Sequence, residues 1–270
     1  MTDKRTPTLQ GWIDGVGFIA PGLPNWPSAV AVLRGEAPYQ SAPSALPVPT
    51  LLPAAERRRA SRLVKLTLAL GLEAVAQAGA DVATLATVFA ASSADGHNCH
   101  ALCEQLAGDD RQISPTRFHN SVHNAAAGYW GIATHAMAPC QVIGAFDASL
   151  GAGLLDALAQ VAVEQVPVLL IAYDSEYPEP LYATRPVSDC AGVALLLSPR
   201  RSERSLARVQ LSCTAQAAAP MADTTLEGLR QGTPSMRALP LLAALAQRQA
   251  GPVCLDYLAP QQLMVEVQPC

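Results

Sequence analysis

Basic residues, aromatic residues and long apolar runs are scarce in this chain, and each shortage removes a class of function. Charged residues make up 15% and aromatics 5% of 270 residues, and the formal net charge is −4. The longest basic run, Arg57-Arg58-Arg59 with Arg62 and Lys65 nearby, is too short for the sustained positive surface on which non-specific nucleic-acid binding depends. No stretch approaches the roughly 18 consecutive apolar residues of a membrane span; residues 166–173 come nearest. The opening Met1-Thr2-Asp3-Lys4-Arg5-Thr6 lacks the apolar centre of a signal peptide. No glycine-rich phosphate loop follows a strand, because Gly15-Val16-Gly17 has no third Gly and leads to Pro21-Gly22 rather than a helix. These absences predict a cytoplasmic chain with no nucleic-acid partner and no membrane insertion.

What the chain has in quantity is apolar material. Half of the residues are hydrophobic, which excludes disorder and predicts a buried core. The length suits one large domain with at most a small appendage. Seven cysteines, an odd number, lie at positions 99, 103, 140, 190, 213, 254 and 270 and read as reduced core thiols.

Periodicity predicts strands alternating with helices. Residues 11–20 form a first strand, and five prolines over residues 38–53 impose a surface loop. Residues 56–80 read as one long helix ending at Gly79. Strands are expected at 85–91 and 140–146, with helices at 100–107 and within 115–136. Residues 149–164 form a helix that Asp147 or Ser149 would cap. Residues 166–173 and 191–197 are apolar throughout, as in a sheet covered on both faces. Further strands at 206–213, 253–258 and 263–267 and a helix near 235–248 follow. The order over residues 11–198 is β-α-β-α-β-α-β-β, an α/β fold of layered αβα type.

Two groups of residues invite a chemical reading. Asp147-Ala148-Ser149-Leu150-Gly151 resembles the Gly-x-Ser-x-Gly elbow of serine hydrolases, with Asp in place of the first Gly. A stand-alone hydrolase or acyltransferase would use Ser149 with His123 or His119, although the hydrolase order needs a His after the Ser and none follows His135. The competing reading is helix capping by Asp147 and Ser149. All five histidines, His97, His100, His119, His123 and His135, share one window with Cys99 and Cys103. The spacing His97-x-Cys99-His100-x-x-Cys103 matches no established zinc pattern, so neither a metal nor any other cofactor is expected.

Ile113-Ser114-Pro115, then Ser121-Val122-His123-Asn124-Ala125-Ala126-Ala127-Gly128, then Ala138-Pro139-Cys140-Gln141-Val142-Ile143 resemble the stretch of β-ketoacyl synthases that leads to their nucleophile. The resemblance implies a thiolase-like half-fold over residues 1–200. In those enzymes a strand ends in a Thr-Ala-Cys-x-Ser turn whose Cys carries the acyl chain. Here the turn reads Ala145-Phe146-Asp147-Ala148-Ser149, with Asp147 at the Cys position, or Phe146 if the alignment slips by one. A carboxylate does not replace a thiolate in accepting an acyl group from a thioester. Cys140, roughly 20 Å away along the strand, is out of reach.

The family's second half supplies a His pair or a His/Asn pair. Residues 201–270 resemble the start of that half, and Pro260-Gln261-Gln262 stands where a His-Gly-Thr turn would follow residues 255–259. That segment is expected to be a truncated second-half fragment, a short α/β extension packed on the same domain.

The implied protein is a chain length factor of the aryl polyene or xanthomonadin type, without intrinsic activity. It would pair with a β-ketoacyl synthase as a heterodimer, meet the acyl carrier protein only indirectly, and shape the tunnel for the growing polyene. Residues 140–146 would be the pairing edge. Phe118, Val122, His123, Tyr129, Trp130, Cys140, Phe146, Asp147 and Ser149 are the implied tunnel or interface residues, with ordinary core packing as the competing reading for Phe118, Val122, Tyr129 and Trp130. A homodimeric binding module for acyl chains is a further alternative.

Overall fold

Strands and helices alternate in space as they do in the sequence. The computed structural model describes residues 9–270. In chain order it contains β1 (Leu9–Ile19), α1 (Trp26–Leu33), α2 (Ala54–Arg59), α3 (Arg62–Ala78), β2 (Ala86–Ala91), α4 (Gly96–Ala107), α5 (Pro115–Ser121), α6 (Ala125–Thr134) and β3 (Cys140–Ile143). There follow α7 (Ser149–Glu164), β4 (Val168–Asp174), α8 (Leu181–Thr184), β5 (Ala191–Ser198), β6 (Ala207–Thr214), α9 (Thr224–Gly232), α10 (Leu239–Gln247), β7 (Gly251–Leu255) and β8 (Gln262–Pro269). Short 3-10 turns lie at Val82–Thr84, Phe146–Ala148 and Pro234–Ala238.

The described strands form one eight-stranded sheet in the order β3-β2-β4-β5-β1-β6-β8-β7. β2 runs parallel to β3 and β4, and the other neighbours are antiparallel. β4 and β5, apolar throughout, are buried along their whole length, as strands covered on both faces must be. One face packs α1, α7 and α10 through residues such as Ala29, Leu154, Leu158 and Leu242. The other packs α3 and α6 through Leu66, Leu70, Tyr129 and Trp130. Beyond residue 200 the chain adds β6, β8 and β7 to this same sheet and α9 and α10 to the α7 face.

Gly15 and Gly17 serve helix packing. A Cβ at either position would stand 2.0 Å from the Ala74 carbonyl oxygen and 1.9 Å from that of Leu70, so only glycine lets α3 lie this close to β1. β1 pairs with β6 only over Leu9–Ile13. Past that point the Val16 and Phe18 N–H groups donate to Gln77 Oε1 (2.7 Å) and Glu73 Oε2 (2.9 Å) of α3. Burial pushes the Glu73 carboxyl above its ordinary range.

Several boundaries differ from expectation. The helix read over 56–80 breaks at Ala60, which is extended, because α2 buries nothing whereas α3 has a wide apolar face. Asn120 Nδ2 donates to the Arg59 carbonyl freed there (2.9 Å). Three helices, α1, the four-residue α8 and α9, do not figure in the sequence expectation. Asn25 caps α1 by accepting from Ser28 N–H (2.9 Å), and Asp223 caps α9 by accepting from Thr225 and Leu226 N–H. The strand expected over 140–146 stops at Ile143. Phe146–Glu164 has the length and mean hydropathy (1.3) of a membrane-crossing helix, which no single apolar run marks, but half of it is buried in this core.

Candidate functional site

The elbow between β3 and α7 starts with Gly144 and Ala145 and turns at Phe146. Phe146 holds φ +53°, a left-handed conformation that costs a residue with a Cβ roughly 1–2 kcal/mol. A strained apex between a strand and a helix is the geometry that presents a nucleophile in other folds. Here the apex side chain is phenylalanine, 63% exposed, and Asp147 lies one residue beyond it. Neither group is a thiolate.

Asp147 does not cap α7; the residue at that position is Ala148, with no side-chain cap. Its carboxylate instead accepts from Arg185 Nη2 (2.5 Å) and Arg237 Nη2 (3.0 Å), and its carbonyl accepts from Arg237 Nη1 (2.9 Å). The Arg185 guanidinium lies over the Phe146 ring, 3.7 Å from its centre. Both arginines come from distant segments, which is why neither was found from sequence.

Ser149 is buried and serves the turn. Its Oγ accepts from Ala145 N–H (2.9 Å) and donates to Phe146 O (2.7 Å), with Ala91 O at 3.1 Å. His123 Nε2 faces the same Ala91 carbonyl at 3.2 Å, and His119 stacks edge-on to Tyr129 with centroids 5.9 Å apart. Among the described residues neither histidine is bonded to Ser149, so the serine–base pair of the hydrolase reading is not assembled. The space enclosed by His123, Val122, Asn120, Leu63 and Tyr173 is about 10 Å³, at most enough for one water, and it holds no acyl chain. A wider cleft of about 960 Å³ lies between α1, α10 and β7, lined by other residues.

The sequence candidates divide in two. Tyr129 and Trp130 are buried core residues: Trp130 meets Phe89 edge-on at 6.2 Å and fills the space that a side chain at Gly71 would need. Phe118 and Val122 are exposed, as are Cys140 and Gln141 of β3. Ile132 and Met137, exposed just before β3, belong with them; their signal was apolar residues flanking a short strand.

No described strand lies beyond β3. Thr87 N–H donates to Pro139 O (3.0 Å), and Thr87 pairs with Cys140. In a parallel ladder this turns the backbone N–H and C=O of Cys140 and Val142 away from β2, free to bond outward. The opposite sheet edge is closed: β7 carries Pro252, and its Cys254 carbonyl accepts from Ala219 N–H (2.8 Å).

The His/Cys window does not converge on a metal site. Among the described residues only Glu176, Asp189 and Cys190 bring three metal-ligating groups together. Arg62 bonds both carboxylates at 2.8 and 2.7 Å, and burial raises the Cys190 thiol, keeping it protonated.

The layered half-fold with an elbow before its central helix is the thiolase-like arrangement that the sequence resemblance implied. The chain matches the model of the β-ketoacyl synthase N-terminal domain over residues 32–254 and belongs to that family. No curated protein matches it. It is similar in fold to the ketosynthase ApeO in complex with its chain length factor ApeC from Xenorhabdus doucetiae, at 23% identity and a TM-score of 0.71, over 95% of this chain and 99% of the other. The ishigamide ketosynthase/chain length factor gives 15% and 0.72 over 96% and 99%. AntDE:AntF, a type II polyketide synthase acyl-carrier protein in complex with its ketosynthase, gives 10% and 0.73 over 97% and 99%.

Proposed function

We propose that this chain is the non-catalytic chain-length-factor subunit of a ketosynthase pair. It closes and shapes the cavity in which a β-ketoacyl synthase extends a polyene chain delivered on acyl carrier protein, in aryl polyene-type biosynthesis. The observation that carries the reading is the elbow itself, which keeps the strained strand-to-helix geometry of a nucleophile site while presenting Phe146 at its apex. Acyl transfer needs a nucleophile there, and the side chains on either side of the apex are Ala145 and an ion-paired Asp147. The open β3 edge, with Phe118 and Val122 exposed on the preceding helical segment, supports strand pairing with a partner. The chain length factors named in two of the similar structures, and the acyl-carrier protein named in the third, fit the same role.

Intact-mass spectrometry tests the non-catalytic assignment. The chain is incubated with acyl- and malonyl-loaded carrier protein, alone and with a ketosynthase. The expected result is no adduct on this chain in either mixture and condensation only when the ketosynthase is present. A site-specific acyl adduct on this chain, or condensation by it alone, overturns the reading. The open edge also fits a second copy of this chain, and size-exclusion chromatography with and without the ketosynthase separates that outcome.

A further inference from the structure

We propose that Phe146, braced by Arg185, is the anchor by which this chain recognises its ketosynthase partner. The proposal rests on the pairing read above and adds the residue that makes the pairing specific.

Nothing in the fold of this chain requires an aromatic at the elbow. The ring is largely exposed, so it adds little to the core. Its backbone sits at φ +53°, where glycine is free of strain and phenylalanine is not. The brace carries a cost of its own, because Arg185 Nε is buried without an acceptor. Even so, two largely buried arginines are committed to this point. Arg237 grips Asp147 through both its carbonyl and its carboxylate, Asp147 orients Arg185, and Arg185 backs one face of the ring. Strain that a surrounding network maintains marks a functional position. What the network preserves is the direction of an aromatic side chain pointing out of the molecule.

The occupant of that outward space follows from its position. Only Gly144 and Ala145 separate Phe146 from the open edge of β3, so a strand docking on Cys140 and Val142 brings its own subunit against the ring. Rigid aromatics at the centre of an interface carry a disproportionate share of its affinity. Two guanidiniums against one carboxylate leave the base of the ring positive, so the matching surface is an apolar hollow with carbonyl or carboxylate groups at its rim.

The test separates binding from folding. Phe146→Gly relieves the backbone and is expected to leave the melting temperature of the isolated chain unchanged or higher, while affinity for the co-expressed ketosynthase falls about tenfold or more. Phe146→Tyr keeps the ring and is expected to retain binding; Asp147→Asn loosens the brace and is expected to fall between. Unchanged affinity in Phe146→Gly overturns the proposal while leaving the pairing intact, and so does an affinity loss matched by a loss of melting temperature. If the wild-type chain binds no ketosynthase, the pairing reading fails and this proposal fails with it.

Discussion

Val142→Pro is the most informative single change at the β3 edge. The Val142 N–H points away from β2, so proline removes a donor that no bond among the described residues uses, at an edge position where proline is tolerated. In the pair, the partner carbonyl opposite Val142 loses its donor inside a buried contact. An unsatisfied acceptor of this kind costs about 1–3 kcal/mol, which weakens the complex roughly 5- to 150-fold. The isolated chain keeps its ladder to β2 and loses only part of the half-buried Val142 contact with the α3 and α6 face, so its melting temperature falls by a few degrees at most. Gln141→Pro is the control: its N–H faces Thr87 in the register of β2 and β3, so the same substitution one residue earlier damages the sheet itself. Biolayer interferometry against the ketosynthase, paired with thermal melts of each variant, reads both quantities. Wild-type affinity in a folded Val142→Pro protein, or equal damage to folding from both prolines, refutes the edge argument.

Other outcomes follow from the geometry. Ser149→Ala strands the Ala145 N–H and removes a donor to Phe146 and Ala91, lowering stability by about 1–3 kcal/mol in denaturant melts; a fluorophosphonate probe is expected to label neither protein, and labelling lost in the variant would restore the hydrolase reading. Gly17→Ala forces a Cβ onto the Leu70 carbonyl and is expected to cost about 3 kcal/mol or more, whereas Gly228→Ala in α9 meets nothing within 4 Å and is expected to stabilise by about 0.5–1 kcal/mol. Bidentate bonds from Arg230, helped by Met221 N–H, hold the Glu227 carboxyl down at about 2, against an ordinary 4.5. A lowered folded-state value stabilises above pH 4.5 and is lost as pH falls toward 2, so melts of Glu227→Gln between those values should show a shallower acid slope than wild type. Buried Asp174, raised above 3.8, contributes the opposite slope, its stabilisation fading as pH rises from there, and it is common to both proteins.

The apolar runs of β4 and β5 and the periodic stripe of α7 were legible because burial on both faces, or along one stripe, leaves a direct mark on composition. The helix over residues 125–134 was not oriented by its sequence. Ala-Ala-Ala-Gly-Tyr-Trp-Gly-Ile-Ala-Thr is apolar nearly all round, so nothing in it says that Tyr129 and Trp130 face the core while Ile132 faces out. The ketosynthase-like stretch led to this turn and left Asp147 or Phe146 at the position of the family's Cys; that Phe146 is the strained residue could not be read, since a left-handed phenylalanine has no sequence signature. Asp147 looked like a helix cap because its arginine partners lie 38 and 90 residues away. The caps of α1 and α9 were readable: Asn25 with Pro27, and Asp223 ahead of Glu227, are ordinary helix starts, hidden among prolines in one case and polar residues in the other.

Native mass spectrometry of the chain co-expressed with a ketosynthase, followed by amide hydrogen exchange of the purified species, tests the central claim most directly. The account predicts a 1:1 complex in which the Cys140 and Val142 amides, unprotected in the isolated chain, become protected together with the Phe146 elbow. A chain that stays alone or pairs only with itself, or a complex that leaves those amides exchanging freely, contradicts it.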